Sequence, residues 1–191
     1  VVNVVLPQIY REDRNRHLTI WSAACASGEE PLTIAIALQE AGWLDRMEIQ
    51  LIGSDASPKA LDKARTGLYR DYALRHTPER LRERYFAREG EYWRIAPRIH
   101  SRVQFQQANL VQPNTFHALA LSEIVFCRNV FIYFSDETIQ AVIKSLSKYT
   151  IGKKYLFLGA AESLLRLRTS FSLEKVGNTY VYTHHSSRPK S

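Results

Sequence analysis

The run Ile20–Pro31, IWSAACASGEEP, constrains this chain more than any other stretch of it. A short apolar strand runs into a loop of very small residues, and a helix then opens on Glu29, Glu30 and Pro31. Small side chains at a strand's C-terminal end let a ligand lie against bare backbone, as in the phosphate-cradling loops of dinucleotide folds. Here the helix start carries negative charge, which stabilises the helix dipole and would repel a pyrophosphate. A cationic, hydroxyl-bearing ligand suits such a loop. S-adenosylmethionine, with a sulfonium, an ammonium and a ribose diol, has both properties.

The second constraint is Leu51-Ile52-Gly53-Ser54-Asp55, an apolar strand closed by a carboxylate and followed by the helix-start pair Ser57-Pro58. An acidic residue ending the second strand of a βαβ unit is placed to accept hydrogen bonds from both ribose hydroxyls. In this order, with one helix between them, the two features argue for a nucleoside-containing cofactor. The alternative is an ordinary α/β turn with a solvated Asp cap.

Composition bounds the rest. The 191 residues, 45% hydrophobic and 24% charged, suffice for one globular domain with a substantial core. No apolar run approaches the ~20 residues that span a bilayer, so no membrane insertion is expected. Val1–Leu6 lacks the basic flank of a signal peptide and meets Pro7. Cys25 and Cys127 read as buried thiols of a reducing compartment, which makes the cytoplasm the expected location and leaves no metal framework. The net charge of +7 is concentrated in Arg65–Arg102, where ten Arg face one Asp and four Glu. Such a balance favours an acidic partner, whether nucleic acid, anionic membrane or acidic protein surface, unless it is only a solubilising face.

Along the chain, Val2–Tyr10 carries helical spacing and reads as the end of an N-terminal helix. Leu18–Ala23, Glu48–Ser54, Ser122–Cys127, Tyr155–Gly159 and Thr179–Thr183 read as strands, with helices at Glu29–Ala41, Pro58–Thr66 and Ser135–Lys148. Tyr69–Phe86 reads as Arg-rich and mostly helical. Tyr92–Ile95 and Val103–Gln106 look like short strands outside the main alternation. His184–Ser191 reads as a frayed tail. The alternation argues for a mostly parallel sheet covered on both faces. Asn109 and Leu110 follow one strand, the first offering an amide to an adenine edge and the second an apolar face. Arg128-Asn129-Val130-Phe131-Ile132-Tyr133 follows another, placing Arg128, Asn129 and Tyr133 at the rim where open α/β sheets bind ligands. Tyr133 could equally be a core aromatic with a satisfied hydroxyl.

With these motifs in order from Leu18 to Thr183 (SAACASGEEP, the Ser54-Asp55 strand end, KARTGLYR, QANL and FCRNVFIYFS), the sequence resembles the CheR-type chemoreceptor glutamate O-methyltransferases. The resemblance implies a Rossmann-like methyltransferase domain at 18–184, its sheet mostly parallel with an antiparallel C-terminal strand. It further implies a small inserted antiparallel β-subdomain at about 85–106, preceded by the end of a helix or linker at 1–17 and followed by a tail at 185–191. The implied reaction moves a methyl group from S-adenosylmethionine to glutamate carboxylates on the cytoplasmic helices of a chemoreceptor, leaving S-adenosylhomocysteine. By the same resemblance, the Ala23–Ala24 backbone and Glu30 hold the methionine end, Asp55 the ribose, and Asn109 and Leu110 the adenosine. Arg128 and Asn129 also border the cofactor, and Arg128 and Tyr133 serve catalysis where methyl meets carboxylate. An ionised glutamate needs no general base, so neither a triad nor a metal is expected.

Three departures bear on this resemblance. The family's Asn-x-Thr-x-Phe-Phe-Arg segment, which precedes the first helix, is not in this sequence, so the chain is expected to be a fragment. Its Gly-His-Ser-Glu run reads Gly159-Ala160-Ala161-Glu162 here. The compact loop Ala87–Glu91 resembles members that act without a C-terminal peptide tether on the receptor. Two other readings stay open: a nucleic-acid methyltransferase, and a catalytically impaired methyltransferase-like binding module.

Overall fold

The computed structural model describes residues 1–186. Its main sheet is built from strands β1 (Leu18–Ala23), β2 (Ile49–Asp55), β6 (Val103–Gln107), β7 (Ile124–Cys127), β8 (Lys153–Leu158), β9 (Ser172–Val176) and β10 (Thr179–His185), in the order β6-β2-β1-β7-β8-β10-β9. The first five strands in that order pair parallel, whereas β10 pairs antiparallel with both β8 and β9. The expected Rossmann-like sheet with an antiparallel C-terminal strand is therefore present.

Strand side chains alternate between two cores, which is why the strands read as near-continuous apolar runs. On one face Leu18, Ile20, Leu51, Ile124, Tyr155 and Val181 pack with helices α1 (Val5–Glu12) and α2 (Glu29–Glu40). On the other, Trp21, Ile52, Val125, Leu156 and Tyr182 pack with α6 (Asp136–Lys148). Helix α6 starts where its sequence asks: the Ser135 hydroxyl accepts from the Thr138 N–H, a cap worth about 1 kcal/mol. Helix α3 (Pro58–Thr66) buries Leu61 and Ala64 and stops at Gly67, which sits at φ 63°.

A second, three-stranded antiparallel sheet follows α3, formed by β3 (Leu68–Tyr69), β4 (Phe86–Glu89) and β5 (Tyr92–Ile95) in the order β3-β5-β4. Between β3 and β4 the chain makes a 3-10 turn at Asp71–Leu74 and only a short helix, α4 (Glu79–Tyr85), less helical than its composition suggested. A one-turn helix, α5 (Pro97–His100), leads to β6.

Strand β6 corrects one expectation. Val103–Gln107 is not outside the main alternation but is the edge of the main sheet, in register with Leu51–Asp55 of β2. An edge strand needs apolar residues on one face only. Val103 and Phe105 meet the first core while Gln104 and Gln106 stay exposed, so the strand mimics the alternation of a free-standing hairpin. Strand β10 runs through His185, into the stretch read as tail, and residues 187–191 lie outside the described residues.

Candidate functional site

The expected site residues lie at the C-terminal ends of β1, β2, β6 and β7. Past Ala23 the chain turns through Ala24 at φ 54°, Ala26 at φ 48° and Gly28 at φ 88°. Left-handed backbone at non-glycine residues costs about 1–3 kcal/mol each and persists only where the surroundings fix it. Here Cys25 N donates to Ser54 O at 2.8 Å and Gly28 N to Cys25 O at 2.9 Å. Ala26 N donates to Asp55 Oδ2 at 2.9 Å, and Asp55 Oδ1 accepts from Ser57 N at 2.8 Å. Asp55 thus ties β2 to the first loop, yet each of its oxygens keeps a lone pair for a further donor. At Gly28 a Cβ would stand 3.0 Å from both Ala64 Cβ and Phe105 Cζ. Glycine is required there by space as well as by φ.

The two carboxylates of the helix start diverge, because successive helical residues point about 100° apart. Glu29 faces outward and takes the Ser27 hydroxyl at 2.9 Å. Glu30 turns inward, where Oε1 accepts the Ser22 hydroxyl at 2.7 Å and Oε2 lies 3.6 Å from Arg128 Nη1. Burial raises its pKa above the usual carboxylate range, and the Ser22 hydrogen bond and the Arg128 charge oppose that rise. The neighbouring Cys25 thiol is pushed up to about 12 by burial, and Cys127 is pushed well above its ordinary value for the same reason. Neither is a nucleophile near neutral pH. Glu29, Glu30 and Arg128 border a cavity of ≈ 420 Å³ whose walls include Val2 and Phe126.

Beyond β7, Arg128 is half-exposed and Asn129 adopts φ 59°. The 3-10 turn Phe131–Tyr133 buries Phe131 in the second core and leaves Tyr133 80% exposed, so Tyr133 is not a core aromatic. Asn109, after β6, closes a local turn: its Oδ1 accepts from Val111 N at 3.1 Å and its own N donates to Thr115 Oγ1 at 2.9 Å. Leu110 is buried in the second core rather than presenting an open apolar face. The structure brings Ala23, Ala24, Glu30, Asp55, Arg128 and Asn129 to one rim around the β1 end, and Asn109 and Leu110 follow Ala108, whose N–H donates to Asp55 O at 3.1 Å.

Glu162, on the turn after β8, was not among the expected site residues. Its Oε1 accepts from Val130 N and Phe131 N, and its Oε2 from Asn129 N and Gly159 N, all at 2.6–2.7 Å. The sequence signal was the run Gly159–Glu162, which keeps the glutamate of the family's Gly-His-Ser-Glu but was read for its two departures at Ala160 and Ala161.

The Arg-rich segment is less bare than its composition suggests. Arg80 and Arg84 pair with Glu40, Arg88 with Asp71, and Arg94 with Glu89. Arg75 stacks on Tyr72 with its guanidinium 3.8 Å from the ring centre, and Arg82 and Arg88 flank Trp93 at 5.2 Å. No helix among the described residues is long and apolar enough to cross a membrane.

A loop of bare backbone, a strand-end carboxylate with spare acceptor capacity and an inward glutamate together fit a nucleoside that carries positive charge. Comparison with known proteins agrees. The family described as CheR methyltransferase, SAM binding domain, matches residues 1–180, and S-adenosylmethionine is its cofactor. Chemotaxis protein methyltransferase 1 of Pseudomonas aeruginosa is 35% identical over 186 residues, covering 93% of this chain and 66% of that protein. Chemotaxis protein methyltransferase Cher2 of Pseudomonas putida is 35% identical over 188 residues, covering 94% and 67%. Chemotaxis protein methyltransferase 2 of Vibrio cholerae is 31% identical over 193 residues, covering 98% and 66%. The chain spans about two thirds of the length of these curated relatives.

Proposed function

The chain belongs to the CheR methyltransferase family, and from that premise we propose that it methylates glutamate side-chain carboxylates of chemoreceptor-type proteins with S-adenosylmethionine as donor. The observation that carries the proposal is the approach of Arg128 to Glu30, 3.6 Å apart, which joins the start of α2, where the loop after β1 ends, to the loop after β7. A cofactor bound along the first loop and a carboxylate drawn to the second would meet at that junction.

When bound, S-adenosylmethionine supplies an electrophilic methyl group on a sulfonium leaving group. The chain's own residues bind, orient and exclude water. The Ala23–Ala24 backbone and Glu30 hold the methionine end, Asp55 takes the ribose diol, and the Asn109–Leu110 turn borders the adenosine. Arg128 and Asn129 border both ligands. Glutamate, with a pKa of about 4.3, arrives ionised at neutral pH, so no residue need remove a proton. Arg128 presents a planar donor fork to that carboxylate, and exposed Tyr133 positions it from the solvent side.

The partner in this reading is the cytoplasmic, glutamate-bearing helices of a receptor, engaged without a C-terminal peptide tether. The guanidinium groups of Arg75 and Arg82, in the segment between β3 and β4, steer these acidic helices toward the site. The test is methyl transfer from tritiated S-adenosylmethionine to a receptor cytoplasmic fragment. Label released by mild base as volatile methanol supports a glutamate ester. Base-stable label on nucleic acid, or none on either acceptor, refutes it.

A further inference from the structure

We propose that Glu162 is a positioning residue for methyl transfer: from the β8 side its carboxylate fixes the backbone of residues 129–131 and through it the aim of Arg128 and Tyr133. The inference rests on the function proposed above for Arg128 and Tyr133, and its structural half stands without it. One carboxylate accepts four backbone N–H groups, from Asn129, Val130, Phe131 and Gly159. Three of them belong to consecutive residues of the loop after β7. A carboxylate has about four lone-pair sites, so this one is saturated by the chain itself and is no ligand for substrate.

The geometry around the carboxylate is closed. Asn129 sits at φ 59°, a left-handed conformation that asparagine adopts more readily than other non-glycine residues, and its N–H is aimed at the Glu162 carboxylate. Gly159 makes room: a Cβ there would lie 2.6 Å from Asn129 Oδ1 and 2.7 Å from Glu162 Oε2. A second tie fastens the same two segments farther along, where Arg166 pairs with Asp136 at 2.6 Å. Between the ties Phe131 is sunk in the core while Tyr133 stands 80% exposed. An exposed side chain has no packing of its own to orient it. Its direction depends on how firmly the backbone beneath is held, and Glu162 supplies that hold. Ala160 and Ala161 are exposed and carry no polar group, so Glu162 does this alone among the residues of its turn.

Glu162→Gln tests the inference, since an amide keeps the shape but offers one acceptor oxygen and turns its NH2 toward N–H groups. Glu162→Asp keeps the charge with a shorter reach, and Gly159→Ala disturbs the carboxylate from the opposite side should Glu162→Gln fail to fold. Three quantities are read: hydrogen exchange of the amides of residues 129, 130, 131 and 159, S-adenosylhomocysteine affinity, and kcat with a receptor fragment. The expected result is exchange at those four amides faster by about tenfold or more with β1 and β2 unchanged. The kcat should fall about 100-fold with cofactor affinity changed far less, and Glu162→Asp should recover part of it. Unchanged exchange at the four amides, in Glu162→Gln or in its Gly159→Ala substitute, overturns the proposal. So does unchanged kcat in a variant whose four amides exchange faster, or loss of protection throughout β1 and β2 in parallel with activity, which would mark Glu162 as fold support only. If the unaltered enzyme forms no methyl ester, the functional reading fails while the exchange result still decides whether Glu162 holds the loop.

Discussion

Arg128 Nη1 lies 3.6 Å from Glu30 Oε2, so the guanidinium at the end of β7 faces the carboxylate at the start of α2. The contact is loose, and the Arg128 side chain is 48% exposed. Pairs of that kind contribute at most about 1 kcal/mol. A guanidinium so weakly held keeps donors free for a second carboxylate, which is the property a substrate-orienting arginine needs.

Replacing Arg128 should therefore harm catalysis more than stability. Arg128→Ala is expected to lower kcat/KM for receptor methylation by about 10- to 100-fold, the worth of a charge-assisted hydrogen bond of about 1.5–3 kcal/mol. Arg128→Lys should recover little, because an ammonium lacks the planar fork. Steady-state ester formation checks this, and turnover unchanged in Arg128→Ala would remove the role.

Salt should slow the reaction by acting on encounter rather than on chemistry. Arg75 and Arg82 stand over Tyr72 and Trp93 and have no carboxylate within ion-pair distance among the described residues. Raising ionic strength from about 0.05 to about 0.5 M shortens the Debye length to a few ångströms and should lower kcat/KM with little change in kcat. Reversing the charge at Arg75 and Arg82 together should have the same effect at low salt. A rate indifferent to both changes would show that the Arg-rich face only solubilises the domain.

Lys154 gives the fold a pH dependence of its own. Its side chain is buried, its ammonium donating to Ala120 O and Ser122 O, and burial lowers its pKa from 10.5 to about 8. Between those values the unfolded chain holds the proton and the folded chain has released it. Stability from this group therefore rises with pH across the window, and below about pH 8 the charged lysine carries its full burial cost. Compared with Lys154→Met, the unaltered chain should gain up to about 3 kcal/mol in unfolding free energy as pH goes from about 7 to 10.5. Denaturant titrations of both proteins at several pH values check this. A constant difference would mean that the lysine keeps its proton throughout.

The parts of the fold legible in sequence were those set by local chemistry. β1 and β2 announce themselves as apolar runs, α3 by Ser57-Pro58 and Gly67, and α6 by the Ser135 cap. What escaped depends on neighbours. Val103–Gln106 reads as a short strand outside the main alternation because an edge position exposes Gln104 and Gln106, and nothing local says which sheet it joins. Ser172–Val176 was not read as a strand, being largely exposed at the other edge. At the candidate site, Asp55 ends β2 and Arg128 directly follows β7, both strand ends that apolar runs in the sequence mark. The split between Glu29 and Glu30 needed the helix phase, and the burial of Leu110 needed the packed core. The hold of Glu162 on residues 129–131 joins segments more than 30 residues apart, and such closure leaves no periodic trace in a single sequence.

The most direct measurement is calorimetric titration with S-adenosylmethionine and S-adenosylhomocysteine of the unaltered chain and of Asp55→Ala. Asp55 braces the loop through Ala26 N and has acceptors left for the ribose diol. Binding at one site, weakened by about 10-fold or more in the variant, is the expected result. Equal affinity in the two proteins would contradict the placement of the cofactor at the ends of β1 and β2.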